Sequence, residues 1–206
     1  MQFIQRSVLA GFMIASWLAA EGVVHASEHG SSSPPPRTLA FVLPKGWAYE
    51  PSESRAGSIN AFSTGQEGHV VGVGMTWPAT ETALQWATDE LASIQQDDGL
   101  SKPASAQNGL RREGLKVVTT PSERLIGTKT WAFIVWDMPW TGQNVNDRSV
   151  TVRSRHEQYF WKDGDTIIQV MWAYPLINPE HLNREAFEQF LSTVRVATPQ
   201  ETANLP

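Results

Sequence analysis

Thr128-Lys129-Thr130-Trp131-Ala132-Phe133-Ile134-Val135-Trp136-Asp137-Met138 is the stretch that decides the fold. Side chains alternate across a strand, so Trp131, Phe133 and Val135 share one face and Ala132, Ile134 and Trp136 the other. Both faces are apolar. Such a strand belongs in the interior of a sheet covered on both sides. Gly127 breaks the chain ahead of it.

Downstream, Pro139 to Ser149 reads as a polar loop and Val150 to Trp161 as the next strand. Lys162-Asp163-Gly164 is a hairpin connection, and Asp165 to Tyr174 completes the hairpin. Asn178-Pro179 then reads as the cap and first residue of a helix whose apolar face is Leu182, Ala186, Phe187, Phe190, Leu191 and Val194. Glu185, Glu188 and Gln189 face water.

Upstream, Glu123 to Ile126 and Leu115 to Thr119 read as two strands, preceded by a loop from Ser101 to Gly114. From Thr80 to Gln96 the period changes. Leu84, Ala87, Leu91 and Ile94 recur at helical spacing, with Thr80 as the expected N-cap. His69 to Trp77, Ser58 to Ser63 and Leu39 to Leu43 are the remaining strands, the last stopped by Pro44-Lys45-Gly46. Short connections favour hairpins and meanders over crossovers. The expected fold is therefore α+β: an antiparallel β-sheet covered by two helices.

The ends carry a different signal. Residues 1–26 read as a cleavable export peptide: Arg6, an apolar run from Val8 to Ala20, then Val24-His25-Ala26 before Ser27. The run is shorter than the roughly 20 apolar residues of a membrane span. The expected location is periplasmic or secreted, with cleavage between Ala26 and Ser27 and no membrane span afterwards. Residues 27–37 form a Ser/Pro linker, residues 38–196 the α+β domain, and residues 197–206 a polar tail expected to be disordered.

Composition narrows the function. The 206-residue chain has a formal net charge of −5, which argues against nucleic acid and against a polybasic membrane-surface module. It has no cysteine, hence neither disulfides nor thiol chemistry. Nine tryptophans are present, and those beyond Trp17 can supply much of a core.

Phe41-Val42-Leu43-Pro44-Lys45-Gly46-Trp47 resembles the F-x-x-P-x-G-W opening of the PsbP-like superfamily, which includes PsbP and DcrB-type envelope proteins. The helix over 80–96, Gly127 before the central strand, the hairpin through Asp163-Gly164 and a closing Phe190-Leu191-Ser192-Thr193-Val194 are similar to the same pattern. The resemblance implies a PsbP-like α/β/α sandwich and a non-enzymatic accessory role with a protein partner in the cell envelope. No ligand motif matches the metal sites of plant members, so no cofactor is expected. The opening motif is structural: proline and glycine make the turn, and Trp47 plugs the sheet edge.

Catalytic signatures are missing: there is no G-x-S-x-G, S-x-x-K or H-E-x-x-H. His69 and His156 could meet if their strands pair, with Glu157 or Asp137 adding an oxygen ligand; scattered surface histidines are the plainer reading. Asp163-Gly164-Asp165 is part of a calcium loop only superficially, and a turn explains it. The loop from Trp140 to Asp147, with Gln143, Asn144, Asn146 and Asp147, is the expected interaction surface, against an irregular connection with Trp140 tucked inward. Arg153 and Arg155 share a strand face, with Arg148 in the preceding loop. They could bind an acidic partner, or simply bridge to neighbouring carboxylates. A small-ligand or metal-binding periplasmic protein is the alternative function.

Overall fold

The computed structural model describes residues 37–49, 59–65, 69–96, 109–110, 114–143, 149–177 and 183–203. The expected export peptide and all of the linker except Arg37 lie outside these residues.

The deciding stretch forms strand β7, Lys129–Gln143. Its outer partners are β6 (Lys116–Ile126) and, near its far end, β5 (Gly109–Leu110). Inward come β8 (Ser149–Asp163), β9 (Thr166–Pro175), β4 (Val70–Thr76), β3 (Ile59–Ser63) and β2 (Ala48–Tyr49). Every pairing is antiparallel. β1 (Leu39–Ala40) and β10 (Arg195–Val196) make a separate two-stranded ribbon that joins the start of the domain to its end.

The alternation in β7 feeds two cores. Ala132, Ile134, Trp136 and Met138 pack under helix α1 (Ala83–Gln96) with Ala87, Leu91, Ile94, Phe160 and Ile167. Trp131, with Tyr159, Val170, Trp172 and half-buried Phe133, packs under helix α2 (Arg184–Thr193) with Phe187, Phe190 and Leu191. Helix, sheet and helix form three layers, so the expected α+β arrangement of an antiparallel sheet covered by two helices holds.

Several boundaries differ from expectation. The two strands expected over 115–126 are one, carrying register shifts between Val117 and Ser122, around Pro121. Proline cannot donate to a ladder, so the irregularity sits where pairing is interrupted anyway. Pro139 to Gln143 is not loop but strand: Gln143 pairs with Ser149 and Trp140 with Val152. Helix α1 is capped by Thr82, whose hydroxyl accepts the Gln85 N–H at 3.1 Å, rather than by Thr80. Its inward stripe is Ala83, Trp86, Ala87, Glu90, Leu91 and Ile94, while Leu84 is exposed. The expected cap Asn178 lies outside the described residues. Asn183 caps α2, its side chain accepting the Ala186 N–H at 3.0 Å.

The Pro44 to Trp47 turn is closed by the Trp47 N–H donating to the Pro44 carbonyl at 3.1 Å. Trp47 stands directly before the edge strand β2 and packs against the core, its ring 5.1 Å from that of Phe190 on α2. The tail expected to be disordered includes helix α3 (Pro199–Ala203), held by Glu201, which pairs with Arg195 and accepts from Thr198. Among the described residues no helix is long and apolar enough to cross a membrane.

Candidate functional site

Strand β8, in the middle of the sheet, carries buried polar residues on both faces. Arg153, Arg155, Glu157 and Tyr159 face α2; Ser154, His156 and Gln158 face α1. Cross-strand pairing sets Arg155 between Asp137 of β7 and Tyr174 of β9.

On the α2 face the buried carboxylate of Glu157 is the hub. It accepts from the Tyr159 hydroxyl at 2.9 Å and the Tyr174 hydroxyl at 2.5 Å. Both terminal nitrogens of Arg184, the first residue of α2, donate to its two oxygens at 2.5 Å. The Arg184 guanidinium also lies 5.0 Å above the Trp172 ring. Beside this hub, Arg155 grips Asp137 through two hydrogen bonds of 2.7 and 3.0 Å. His69 stacks on Tyr174 with ring centroids 5.6 Å apart.

Electrostatics lock the cluster. Burial alone would raise the Glu157 pKa, but the Arg184 and tyrosine donors outweigh it and hold the carboxyl below its ordinary value. Burial first, and the Glu157 charge second, push both phenols above the ordinary tyrosine range. The hydrogen bonds to Asp137 and Glu157 raise Arg155 and Arg184 respectively. A carboxylate has about four acceptor positions, and four donors fill them. Glu157 is therefore spent on structure and is unavailable as a base, a nucleophile or a metal ligand.

On the α1 face the polar groups are not all satisfied. The Ser154 hydroxyl is 3.2 Å from the Met138 carbonyl and 3.0 Å from His156 Nε2. The serine's single proton goes to the carbonyl, so Nε2 carries the imidazole proton and Nδ1 is a bare acceptor. Burial pushes the His156 pKa down to about 4, against a small opposing pull from Asp137, so the ring is neutral at pH 7. It stacks on Trp136 with centroids 5.3 Å apart. His156 Nδ1 and both side-chain polar atoms of Gln158 are buried without a hydrogen-bond partner, while Trp86 on α1 has Glu81 as its side-chain partner. Glu90 of α1 faces this strip. Burial raises its pKa and the nearby Gln158 amide partly offsets that, though without full hydrogen-bond geometry.

The structure separates His69 from His156. β4 and β8 flank β9 rather than each other, and the two rings lie on opposite faces of the sheet. The carboxylates offered as further ligands are held by Arg155 and Arg184. Among the described residues no three histidine or acidic side chains converge on a possible metal position. Asp163 accepts the Val196 N–H at 3.1 Å and Asp165 pairs with Arg37, so the Asp163 to Asp165 segment is a pinned hairpin. Trp140 and Gln143 are strand residues; Asn144, Asn146, Asp147 and Arg148 lie outside the described residues. Arg153 is exposed and donates to the Gly114 carbonyl at 3.1 Å. Arg155 bridges to a carboxylate, the plainer of its two expected roles.

Sequence reasoning missed Tyr159, Tyr174, Arg184, Glu90 and Gln158. One signal was present: Arg153-Ser154-Arg155-His156-Glu157-Gln158 puts six consecutive polar residues into one strand, which a two-sided buried strand tolerates only if each has a use.

No family model matches the chain. No curated protein matches it either. Similar solved structures include the cyanobacterial PsbP, CyanoP, of Synechocystis, at 9% identity and a TM-score of 0.45, covering 84% of this chain and 99% of that one. They also include LpqN, involved in cell envelope biogenesis of Mycobacterium tuberculosis, at 11% identity and a TM-score of 0.41, covering 81% and 87%. A Bacteroides thetaiotaomicron protein is similar at 8% identity and a TM-score of 0.44; the match covers 79% of this chain but only 46% of that one. A PsbP protein thus stands among the similar solved structures.

Proposed function

We propose that the protein is an exported, non-enzymatic accessory protein that binds a protein partner in the cell envelope. The observation that carries this reading is the saturated Glu157 cluster at the base of the β7–β8 hairpin. It spends its ionised groups on joining β7, β8, β9 and α2, and leaves a rigid footing in place of acid–base or nucleophilic machinery. Above that footing the hairpin runs on. β9 ends its pairing at Ser154↔Pro175, while β7 and β8 stay paired out to Gln143↔Ser149. A projecting arm on a stiff base suits recognition, with Trp140, Gln143, Asn144, Asn146, Asp147 and Arg153 as the proposed contact residues and Arg155 kept in the footing. Export would follow from the peptide over 1–26, with cleavage after Ala26.

Cross-linking in native envelope fractions, followed by co-purification, tests this. A defined partner is expected with the wild-type chain and is lost when residues 144–148 are replaced by a two-residue Asn-Gly turn. Recovery of the protein alone, or equal recovery of the partner with the shortened hairpin, refutes the reading. N-terminal sequencing of the mature chain checks the export step, with Ser27 expected as the first residue.

A further inference from the structure

The base of the hairpin arm carries two cations that no carboxylate neutralises. Lys116 opens β6 opposite Asp137 of β7, and Asp137 in turn lies opposite Arg155 of β8. Residues opposite one another in an antiparallel pair share a face, so these three stand together on the α2 side, one row nearer the arm than Glu157. Arg153 follows Arg155 on that face, opposite Pro139. Asp137, the acid of this row, is buried and held by two hydrogen bonds from Arg155. Lys116 and Arg153 are exposed, and among the described residues neither has a carboxylate partner.

One contact fixes the spacing of the pair. The Arg153 guanidinium donates to the Gly114 carbonyl at 3.1 Å, which places the group without cancelling its charge. Gly114 is two residues before Lys116, at most about 7 Å along the chain. Carboxylates on alternate residues of an extended segment are also about 7 Å apart. The sign and extent of the charge narrow the partner further. The chain as a whole carries −5. An extended polyanion, such as a bilayer of anionic lipid or a nucleic acid, would cover acidic surface together with these cations and be repelled by it. A short acidic segment meets the cations alone. Exposed ion pairs add little affinity each, so their effect is on encounter, orientation and rejection of wrong partners.

We infer that the protein partner docks on the base of the arm through an extended acidic segment, with Lys116 and Arg153 pairing to carboxylates on alternate residues. The inference rests on the reading that a protein docks on the hairpin arm, and it names the chemistry of that partner.

Nuclear magnetic resonance of the nitrogen-15-labelled mature chain tests it, with the blocked peptide (Glu-Ser)3 as probe and (Gln-Ser)3 as control. At about 20 mM salt the glutamate peptide is expected to give saturable shifts around Lys116 and Arg153 and the control none, with binding weakened severalfold at about 200 mM. Lys116→Gln combined with Arg153→Gln is expected to weaken binding about tenfold. Should that variant melt lower because Gly114 is no longer held, Lys116→Gln alone is expected to weaken binding about threefold. No saturable shift, an equal response to (Gln-Ser)3, or a response undiminished in the variants overturns the inference. Tighter binding to phosphatidylglycerol vesicles or to short single-stranded DNA than to the peptide overturns it as well, and assigns the cations to an extended polyanion. The two readings fail separately. A partner captured from envelope fractions that is lost with the shortened hairpin but kept by the double variant overturns the acidic segment and leaves docking on the arm standing. Failure to capture any partner counts against docking on the arm, and the peptide titration then decides the role of the two cations by itself.

Discussion

At the scale of single residues, β8 holds two kinds of buried polar group, and they respond to pH in ways that can be separated. His156 is neutral and fully buried, with its pKa pushed from 6.5 to about 4 by desolvation. Between those values the unfolded chain binds a proton that the folded chain refuses, so stability is complete above about pH 6.5 and is lost as pH falls toward 4. At 1.36 kcal/mol per unit the loss is about 3 kcal/mol. Urea unfolding at pH 7, 5.5 and 4.5 should show this slope, and His156→Gln should flatten it. A variant with an unchanged slope would assign the acid sensitivity elsewhere. Glu157 responds in the opposite sense to burial, because Arg184 and the two tyrosines hold its charged form. Its folded pKa is depressed, so its contribution is present above the unfolded value of about 4.3 and disappears only as pH falls below it. Removing its main donor is the sharper test. Arg184→Ala leaves a buried carboxylate with two phenols, and is expected to cost about 2–3 kcal/mol at pH 7 by urea midpoint, a figure at the low end because the guanidinium is 38% exposed. A cost under about 0.5 kcal/mol would mean that solvent replaces the arginine without penalty.

Among the elements, α2 owes its position to both of its ends. Asn183 caps the start. At the other end Lys129, the first residue of β7, donates to the Ser192 carbonyl at 2.9 Å and to the Val194 carbonyl at 2.5 Å, with its ammonium 4.4 Å from the Trp161 ring. A cation on the last carbonyls of a helix satisfies otherwise orphaned acceptors and complements the helix dipole. Lys129→Met is expected to lower stability by about 1–2 kcal/mol, or about 2–8 °C in melting temperature for a domain of this size. Gly127 lets the turn approach: its φ is +60, and a Cβ there would stand 3.1 Å from Ser192 Cβ. Gly127→Ala should therefore destabilise through both backbone and contact, and calorimetry on the two variants separates the cap from the close approach. The sequence made α2, its apolar face and this glycine visible, because periodicity and φ-permissive residues are local. It did not reveal the lysine cap or Arg184, whose roles depend on pairings more than 20 residues away. Thr80 and Thr82 are equivalent as cap candidates on paper, and only tertiary contacts choose between them: the Thr80 carbonyl is taken instead by Lys162 at 2.8 Å. The length of β7 is not legible in the sequence for a related reason. Pro139 and Gly142 suggest a loop, yet the pairing with β8 carries the strand through both.

In the whole molecule, one sheet separates two cores that share no side chains but share every strand of the centre. Trp131 and Ala132, Tyr159 and Phe160, and Ile167 and Ile168 are neighbours in the chain that serve opposite layers. Neither core can be lost without exposing the back of the strands that build the other. Loss of one helix therefore strips the support of the second, so the two layers should unfold together despite their separate packing. The chain has no disulfide to hold either layer independently. Tryptophans report on each side: Trp136 under α1, Trp172 under α2. Urea unfolding of Trp136→Phe and Trp172→Phe, each followed by fluorescence and by far-ultraviolet circular dichroism, should give one coincident transition per variant. A fluorescence midpoint offset from the dichroism midpoint in either variant would mean that one helix leaves the sheet first. The side that leaves would matter for function: an early α1 exposes the strip of His156 and Gln158, whereas an early α2 breaks the Arg184 to Glu157 link beneath the hairpin arm.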